Sequence, residues 1–229
     1  MTHSVHSEIP KGKKQIVVIG GAKGISNVIV GIRAYLDADI TAVISTADNG
    51  GSSGILSDCY GIGPVVDRRR GCGALVDDNE SHELLSLAEY RYESGGLPPH
   101  TFGNLVLLTL FRKYHCIEQA IEKYCQMIGA KGSVIPVTLG KQTLWARRED
   151  GTVVEGESRI DVSDDLNSSR ITKVWLSPRA IVNPKAEVAI HEADVVIIGP
   201  GDHFTSIIPN LLVPGIPSAI RETKAMVVY

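Results

Sequence analysis

The sequence predicts an α/β fold, a mostly parallel sheet with flanking helices and a small β-rich insertion at about 133–182. Three features carry that reading. Gln15-Ile16-Val17-Val18-Ile19 is a β-branched run of the kind buried on both faces of a parallel sheet, and a glycine turn follows it at once. A second run, Ile40–Thr46, and a third, Asp194–Ile198, likewise end in loops of small residues. Strand patterns that alternate with helical ones and end in such loops indicate β-α-β units.

The first fourteen residues are polar and basic, show no period, and read as a flexible leader. Residues 15–229 are expected to form a single domain. After the first strand, Ile25–Leu36 places Val28, Ile29, Ile32 and Leu36 at helical spacing with Ser26 as its cap, and Ile40–Thr46 completes a β-α-β unit. A helical region runs from about His82 to Glu93, and Gly95-Gly96-Leu97-Pro98-Pro99 breaks it. His100-Thr101-Phe102-Gly103-Asn104 then opens a strongly apolar helix, and Ile117–Ile128 is a further amphipathic one. From Ser133 to about Val182 the pattern turns to short β-rich pieces, with Glu149-Asp150-Gly151 as a hairpin signal. These pieces are expected to be an insertion or an antiparallel edge on the main sheet. A helix over Pro184–Ala193 leads into Asp194–Ile198, and Met226-Val227-Val228-Tyr229 reads as the start of another buried strand.

A chain of 229 residues can bury roughly 70–75% of the surface it exposes when unfolded, so it needs no staple. The four cysteines, Cys59, Cys72, Cys116 and Cys125, show no CxxC pair and no zinc-type spacing with histidine, which indicates neither a disulfide framework nor a structural metal. Reduced thiols and a cytoplasmic location are the expectation. No apolar run approaches the roughly 18 residues that span a bilayer, so no membrane span is expected. A net charge of −3 with three Phe and two Trp argues against a nucleic-acid partner, although Asp67-Arg68-Arg69-Arg70 is a local basic cluster. Small anionic ligands are the better match.

The candidate site is built from the strand-end loops. In Ala47-Asp48-Asn49-Gly50-Gly51-Ser52-Ser53-Gly54, the glycines permit close backbone approach and Ser52 and Ser53 offer hydroxyl groups. Asp48 supplies a carboxylate for a cation, a sugar hydroxyl or a base edge. Gly20-Gly21-Ala22-Lys23-Gly24 looks like a phosphate cradle: a helix beginning near Ser26 would direct free N–H groups at an anion, and Lys23 could pair with it. It fits neither the Walker A pattern nor a full GxGxxG. In Gly199-Pro200-Gly201-Asp202-His203-Phe204-Thr205-Ser206, Thr205 and Ser206 could cap a helix or donate to phosphate. His100 has no nucleophile or carboxylate partner in view, so a binding or loop-stabilising role is expected for His100 and Asn104 rather than acid–base catalysis.

Taken in order, GGAKG at 20–24, ADNGGSSG at 47–54, HTFGN at 100–104 and GPGDHFTSIIPNLLV at 199–213 resemble the successive motifs of the gluconeogenesis factor family (YvcK-like). That family is a branch of the superfamily containing 2-phospho-L-lactate transferase (CofD). The resemblance covers roughly residues 15–229. It implies a Rossmann-like fold, a cytoplasmic bacterial protein, and binding of a nucleotide-sugar of the UDP-N-acetylglucosamine type. It also implies a regulatory role in carbon metabolism, cell shape and cell-wall synthesis, with no catalytic residue. Carried over by motif, the implied ligand-binding residues are Gly20, Gly21, Lys23, Gly24, Asp48, Asn49, Gly50, Gly51, Ser52, Ser53, Asp67, Arg69, His100, Gly103, Asn104, Gly199, Pro200, Gly201, Thr205 and Ser206.

The chain also departs from the family pattern. The first loop usually reads GGGTG, so Ala22 and Lys23 replace Gly and Thr. Asn49 stands where a second Asp is usual, which removes a carboxylate from any metal-holding pair. Pro64-Val65-Val66-Asp67-Arg68-Arg69-Arg70 keeps Asp67 and Arg69 of the family's PPGDIRN, and Arg68 and Arg70 are expected to be exposed charges without a role. Family members run on past this chain's last residue, which implies a missing C-terminal segment or a homo-oligomer that covers the surface left open. No metal ligand is assigned. Magnesium enters only under an alternative reading, a phospholactyl transferase acting on a nucleotide donor. A second alternative is a remnant that binds no nucleotide.

Overall fold

A computed structural model describes residues 12–77, 83–162 and 169–229. β1 (Lys14–Gly20) divides its side chains between two cores: Ile16 and Val18 face one, Val17 and Ile19 the other. Both faces are covered, as an unbroken apolar run requires. α1 (Ala22–Tyr35) returns the chain to β2 (Ala38–Ile44), which runs parallel to β1 in a register from Lys14↔Ala38 to Gly20↔Ile44. Five helices follow: α2 (Gly51–Tyr60), α3 (Val66–Ala74), α4 (Glu83–Glu89), α5 (Phe102–Tyr114) and α6 (Ile117–Met127). β3 (Ser133–Pro136) then pairs in parallel with β2.

β4 (Thr143–Arg148), β5 (Val153–Glu155) and β6 (Ile171–Ser177) form a separate antiparallel sheet in the order β5-β4-β6, with α7 (Glu157–Val162) between β5 and β6 in sequence. α8 (Pro184–Glu192) leads to β7 (Val195–Ile198), parallel to β1 on the side away from β2. A π-helical turn at His203–Ile207, α9 (Ile208–Leu211) and α10 (Ile216–Glu222) precede β8 (Met226–Val228). The main sheet is all parallel, in the order β3-β2-β1-β7-β8. Ile25, Ile29, Leu107 and Ile121 cover one face from α1, α5 and α6, while Ala186, Ile190, Ile216 and Ala219 cover the other from α8 and α10. Each fully buried isoleucine or leucine contributes about 1.5–3 kcal/mol. The strand order reverses between β1 and β7, and the crevice at the carboxyl ends there is where an open α/β sheet gathers its ligand loops.

Several expectations change. α1 begins at Ala22 with Gly21 as its N-cap, and Ser26 does not cap it: Ser26 Oγ donates to Ala22 O one turn back. α2 and α3 escape a pattern reading because their glycines, serines and arginines carry no apolar stripe. The helix expected to reach Glu93 stops at Glu89, since the next residues pair across the chain, with Tyr92 N donating to His100 O and Phe102 N to Tyr90 O. Its expected start at His82, and leader residues 1–11, lie outside the described residues. β3 belongs to the main sheet, so the insertion proper is β4-β5-β6 with α7. β8 is exposed rather than buried, and among the described strands it is an edge flanked by β7 alone.

The reduced-thiol expectation fails for one pair. Cys72 on α3 and Cys125 on α6 are disulfide-bonded with Cα atoms 5.3 Å apart, while Cys59 and Cys116 are free and exposed. A separation of 53 residues carries no spacing signature. Only the packing of α3 on α6 brings the two sulfurs together.

Candidate ligand-binding cleft

At the carboxyl end of the main sheet, the loops after β1, β2 and β7 line a cleft of about 640 Å3. Two helices begin on its wall. The first intrahelical bond of α1 runs from Ile25 N to Gly21 O (3.2 Å), which leaves the N–H groups of Lys23 and Gly24 ahead of it, that of Ala22 being taken by Asp67. In α2 the corresponding bond is Gly54 N to Gly50 O (3.2 Å), so Gly51, Ser52 and Ser53 stand ahead. Each N-terminus carries partial positive charge, and Lys23, Arg70 and Arg91 add formal charge beside them. The cleft is therefore suited to an anion such as a diphosphate.

Carboxylates line the same cleft. Asp48 Oδ1 accepts from Gly50 N at 2.9 Å and so shapes the turn that enters α2. Asp67, half-buried on the first turn of α3, accepts from the backbone N–H of Ala22. Burial and then the nearby Asp48 push the Asp67 carboxyl up to about 6, against the opposing pull of Arg70, the Ala22 N–H and Arg68. Asp202 caps the turn after β7, accepting from Phe204 N (2.9 Å), Thr205 N (2.7 Å) and Thr205 Oγ1 (2.8 Å). The cap expected at Thr205 or Ser206 is thus Asp202.

The first and last loops touch through backbone. A Cβ at Gly21 would lie 2.6 Å from Ser206 Oγ, and one at Gly24 would fall on the Pro200 carbonyl. Glycine is required there by space.

Behind the wall runs a buried polar chain. Ser52 Oγ is 2.8 Å from His100 Nδ1 and accepts from Asn104 Nδ2 at 2.8 Å. Asn104 Oδ1 accepts from Arg69 Nε at 2.9 Å, and Arg69 pairs with the Glu89 carboxylate on α4. Burial lowers the His100 pKa, which favours the neutral ring. Arg68, expected to be exposed, is 2% exposed, with its guanidinium against Gly63. Burial brings its pKa down to about 10 while Asp67 and Asp48 hold it up, so it stays charged near neutral pH.

Of the residues singled out from sequence, Gly21, Lys23, Gly24, Asp48, Gly50, Gly51, Ser52, Asp67, Gly201, Thr205 and Ser206 line the cleft. Gly20, Ser53, Arg69, His100, Gly103, Asn104, Gly199 and Pro200 do not line it: several of them brace it, as Ser53 Oγ does by accepting from Val66 N. Asn49 turns away, its Oδ1 accepting from Ser158 N at 3.0 Å, and lines a second cleft of about 480 Å3 beside the small sheet. Sequence reasoning missed Asn27, Arg70, Arg91, Glu157 and Asp202 on the wall. Arg70 was legible once Val66–Ala74 is helical, because it lies one turn beyond Asp67. Arg91 carried no signal.

The fold and cleft define a Rossmann-like α/β protein with its loops gathered at the strand-order switch. The chain belongs to the CofD family: the family model described as 2-phospho-L-lactate transferase CofD matches residues 16–229. It is 40% identical over 226 residues to a relative from Nostoc sp. and 42% over 220 residues to one from Clostridium acetobutylicum, covering 98% and 96% of this chain. It is 38% identical to the gluconeogenesis factor of Halalkalibacterium halodurans, over 95% of this chain and 66% of that protein. The chain spans about half the length, 48%, of the Nostoc and Clostridium relatives. A crystal structure of a Bacillus halodurans protein superposes with a TM-score of 0.88 at 36% identity, covering 95% of this chain and 68% of that one.

Proposed function

We propose that the cleft binds a nucleotide-sugar of the UDP-N-acetylglucosamine type, and that the protein acts as a cytoplasmic regulator linked to carbon metabolism, cell shape and cell-wall synthesis. One observation carries the reading: two helix N-termini and Lys23 border a single cleft at the strand-order switch. The diphosphate would lie across the first turns of α1 and α2, and the sugar hydroxyls would meet Asp48 or Asp202. This reading assigns no bond-breaking step to any side chain.

A second reading, a phospholactyl transferase, is favoured by Asp48 and Asp67 lining the same cleft. Two carboxylates close enough for one to raise the pKa of the other suit a divalent cation. Asp48 and Asp67 would then hold magnesium, which when bound offsets the charge of a diphosphate leaving group.

A thermal-shift panel separates the readings: UDP-N-acetylglucosamine, UDP-glucose, GTP and GDP, each with and without magnesium. Binding to the folded state alone stabilises it by about 2.7 kcal/mol at a hundredfold excess over Kd. Stabilisation by the UDP-sugars alone supports the regulator, and a magnesium-dependent guanine shift supports the transferase. No shift in a cooperatively melting chain refutes both and leaves a remnant that binds no nucleotide.

A further inference from the structure

The chain's two tryptophans sit side by side on a surface that the cleft does not use. β4 and β6 pair Trp145 with Trp175 and, in the next row, Arg147 with Lys173, so all four side chains share one face of the small sheet. The opposite face packs inward through Leu144 and Ala146. The indoles are stacked, with centroids 6.2 Å and planes 14° apart. The Arg147 guanidinium and the Lys173 ammonium each stand 6.0 Å from the Trp175 ring centroid. Val153, which pairs with Arg147 from the other side, is 46% exposed. β6 is also an edge: among the described strands its only partner is β4, so its outer side offers backbone donors and acceptors to a further strand.

We propose that this face docks an acidic, extended segment of a partner protein. The segment adds as a strand along β6, sets an apolar side chain on the indole pair, and places a carboxylate between Arg147 and Lys173. Large aromatics beside arginine are the usual anchors of protein interfaces. Charge selects an acidic occupant: the lone carboxylate in the two rows, Glu155, lies on the far strand β5, which leaves the β6 side cationic. The seven-residue open edge selects an extended segment over a helix. A single-stranded nucleic acid also stacks on aromatics, but it needs a basic track along several phosphates, and here two cations stand near Glu155.

Trp145 and Trp175 are the only tryptophans in the sequence, so tryptophan emission, excited at the red edge where the seven tyrosines do not absorb, reads this face alone. The probe is a tryptophan-free peptide of alternating glutamate and leucine, titrated into the whole chain. The expected result is a saturable emission change that weakens at least tenfold in the Arg147→Glu, Lys173→Glu double variant and weakens with added salt. A parental melting curve establishes that the variant is folded, and the single variant Lys173→Gln, expected to weaken binding by a smaller factor, serves if it is not. No emission change with the parent, or equal binding by the charge-reversed chain, overturns the proposal. So does saturation by an oligothymidylate in place of the peptide, or an emission change that tracks protein concentration without any peptide, which would assign the face to nucleic acid or to a second copy.

Discussion

Ser52 Oγ lies 2.8 Å from His100 Nδ1, and this contact joins the helix that follows β2 to the turn that precedes α5. The proton positions follow from the next links. Arg69 Nε can only donate, so the Asn104 atom facing it is the oxygen and the amide nitrogen faces Ser52. Ser52 Oγ accepts that bond, and its own proton is left for His100 Nδ1. A neutral imidazole with its hydrogen on Nε2 would accept that proton, and the burial that lowers the His100 pKa favours the neutral ring.

Asn104→Leu should therefore destabilise the chain by roughly 2–4 kcal/mol, because it leaves Arg69 Nε without its acceptor and the Ser52 oxygen without its donor in a buried site. Urea unfolding should show a lower midpoint at an unchanged slope. A midpoint equal to the parent's would mean that water or a shifted side chain replaces the lost bonds.

Asp67 gives a pH dependence of defined sign. Its carboxyl is raised from 3.8 to about 6 in the folded chain, so between those values the folded state holds more proton than the unfolded state. Stability contributed by this group is present below about pH 4 and is lost as pH rises through about 6. Asp67→Asn keeps an oxygen for the Ala22 N–H and removes the charge. In EDTA it should raise stability at pH 7 by on the order of 1–3 kcal/mol, with the gain vanishing near pH 4. A destabilised variant at pH 7 would show that the ionised carboxylate is supported by its surroundings.

The parallel sheet was legible because β1, β2 and β7 are apolar runs that only a doubly covered strand explains. The strand-end loops were legible for the same reason, since Gly20, Ala47 and Gly199, which open them, follow directly on those runs. What escaped was set by tertiary packing. Arg68 looks like a surface charge in sequence, yet it is buried because α3 turns it against Gly63. Asn49 looks like a cleft residue, but its amide is taken by Ser158 from an element more than a hundred residues away in sequence. The placing of Asp48 and Asp67 in one cleft depends on α3, which has no apolar stripe to announce it.

The bond between Cys72 and Cys125 makes a countable prediction. In denaturant, Ellman's reagent should titrate two thiols, those of Cys59 and Cys116, without reductant and four after reduction. Closing a loop across 53 residues restricts the unfolded chain by about 4 kcal/mol on the chain-entropy model. Reduction should accordingly lower the unfolding midpoint and loosen α3, which carries Asp67 and Arg70. Four reactive thiols at the outset would show that α3 and α6 pack with their sulfurs unbonded.

Gly24 and Gly51 both line the cleft, but the reasons for glycine differ, and paired substitutions separate them. At Gly24 a Cβ would land on the Pro200 carbonyl, so Gly24→Ala must push the start of α1 away from the loop after β7. Backbone cannot yield as a flexible side chain can. The variant should lose several kcal/mol of stability, or fold with α1 displaced and its free N–H groups misdirected. At Gly51 nothing lies within 4 Å of the added carbon, but φ is +44°, a left-handed value. Gly51→Ala should cost only about 1–2 kcal/mol and leave the fold intact. Thermal melts rank the two variants, and the UDP-sugar shift measured on each reads the cleft. Loss of the shift in Gly24→Ala with partial retention in Gly51→Ala would place the diphosphate at α1. The reverse order would place it at α2.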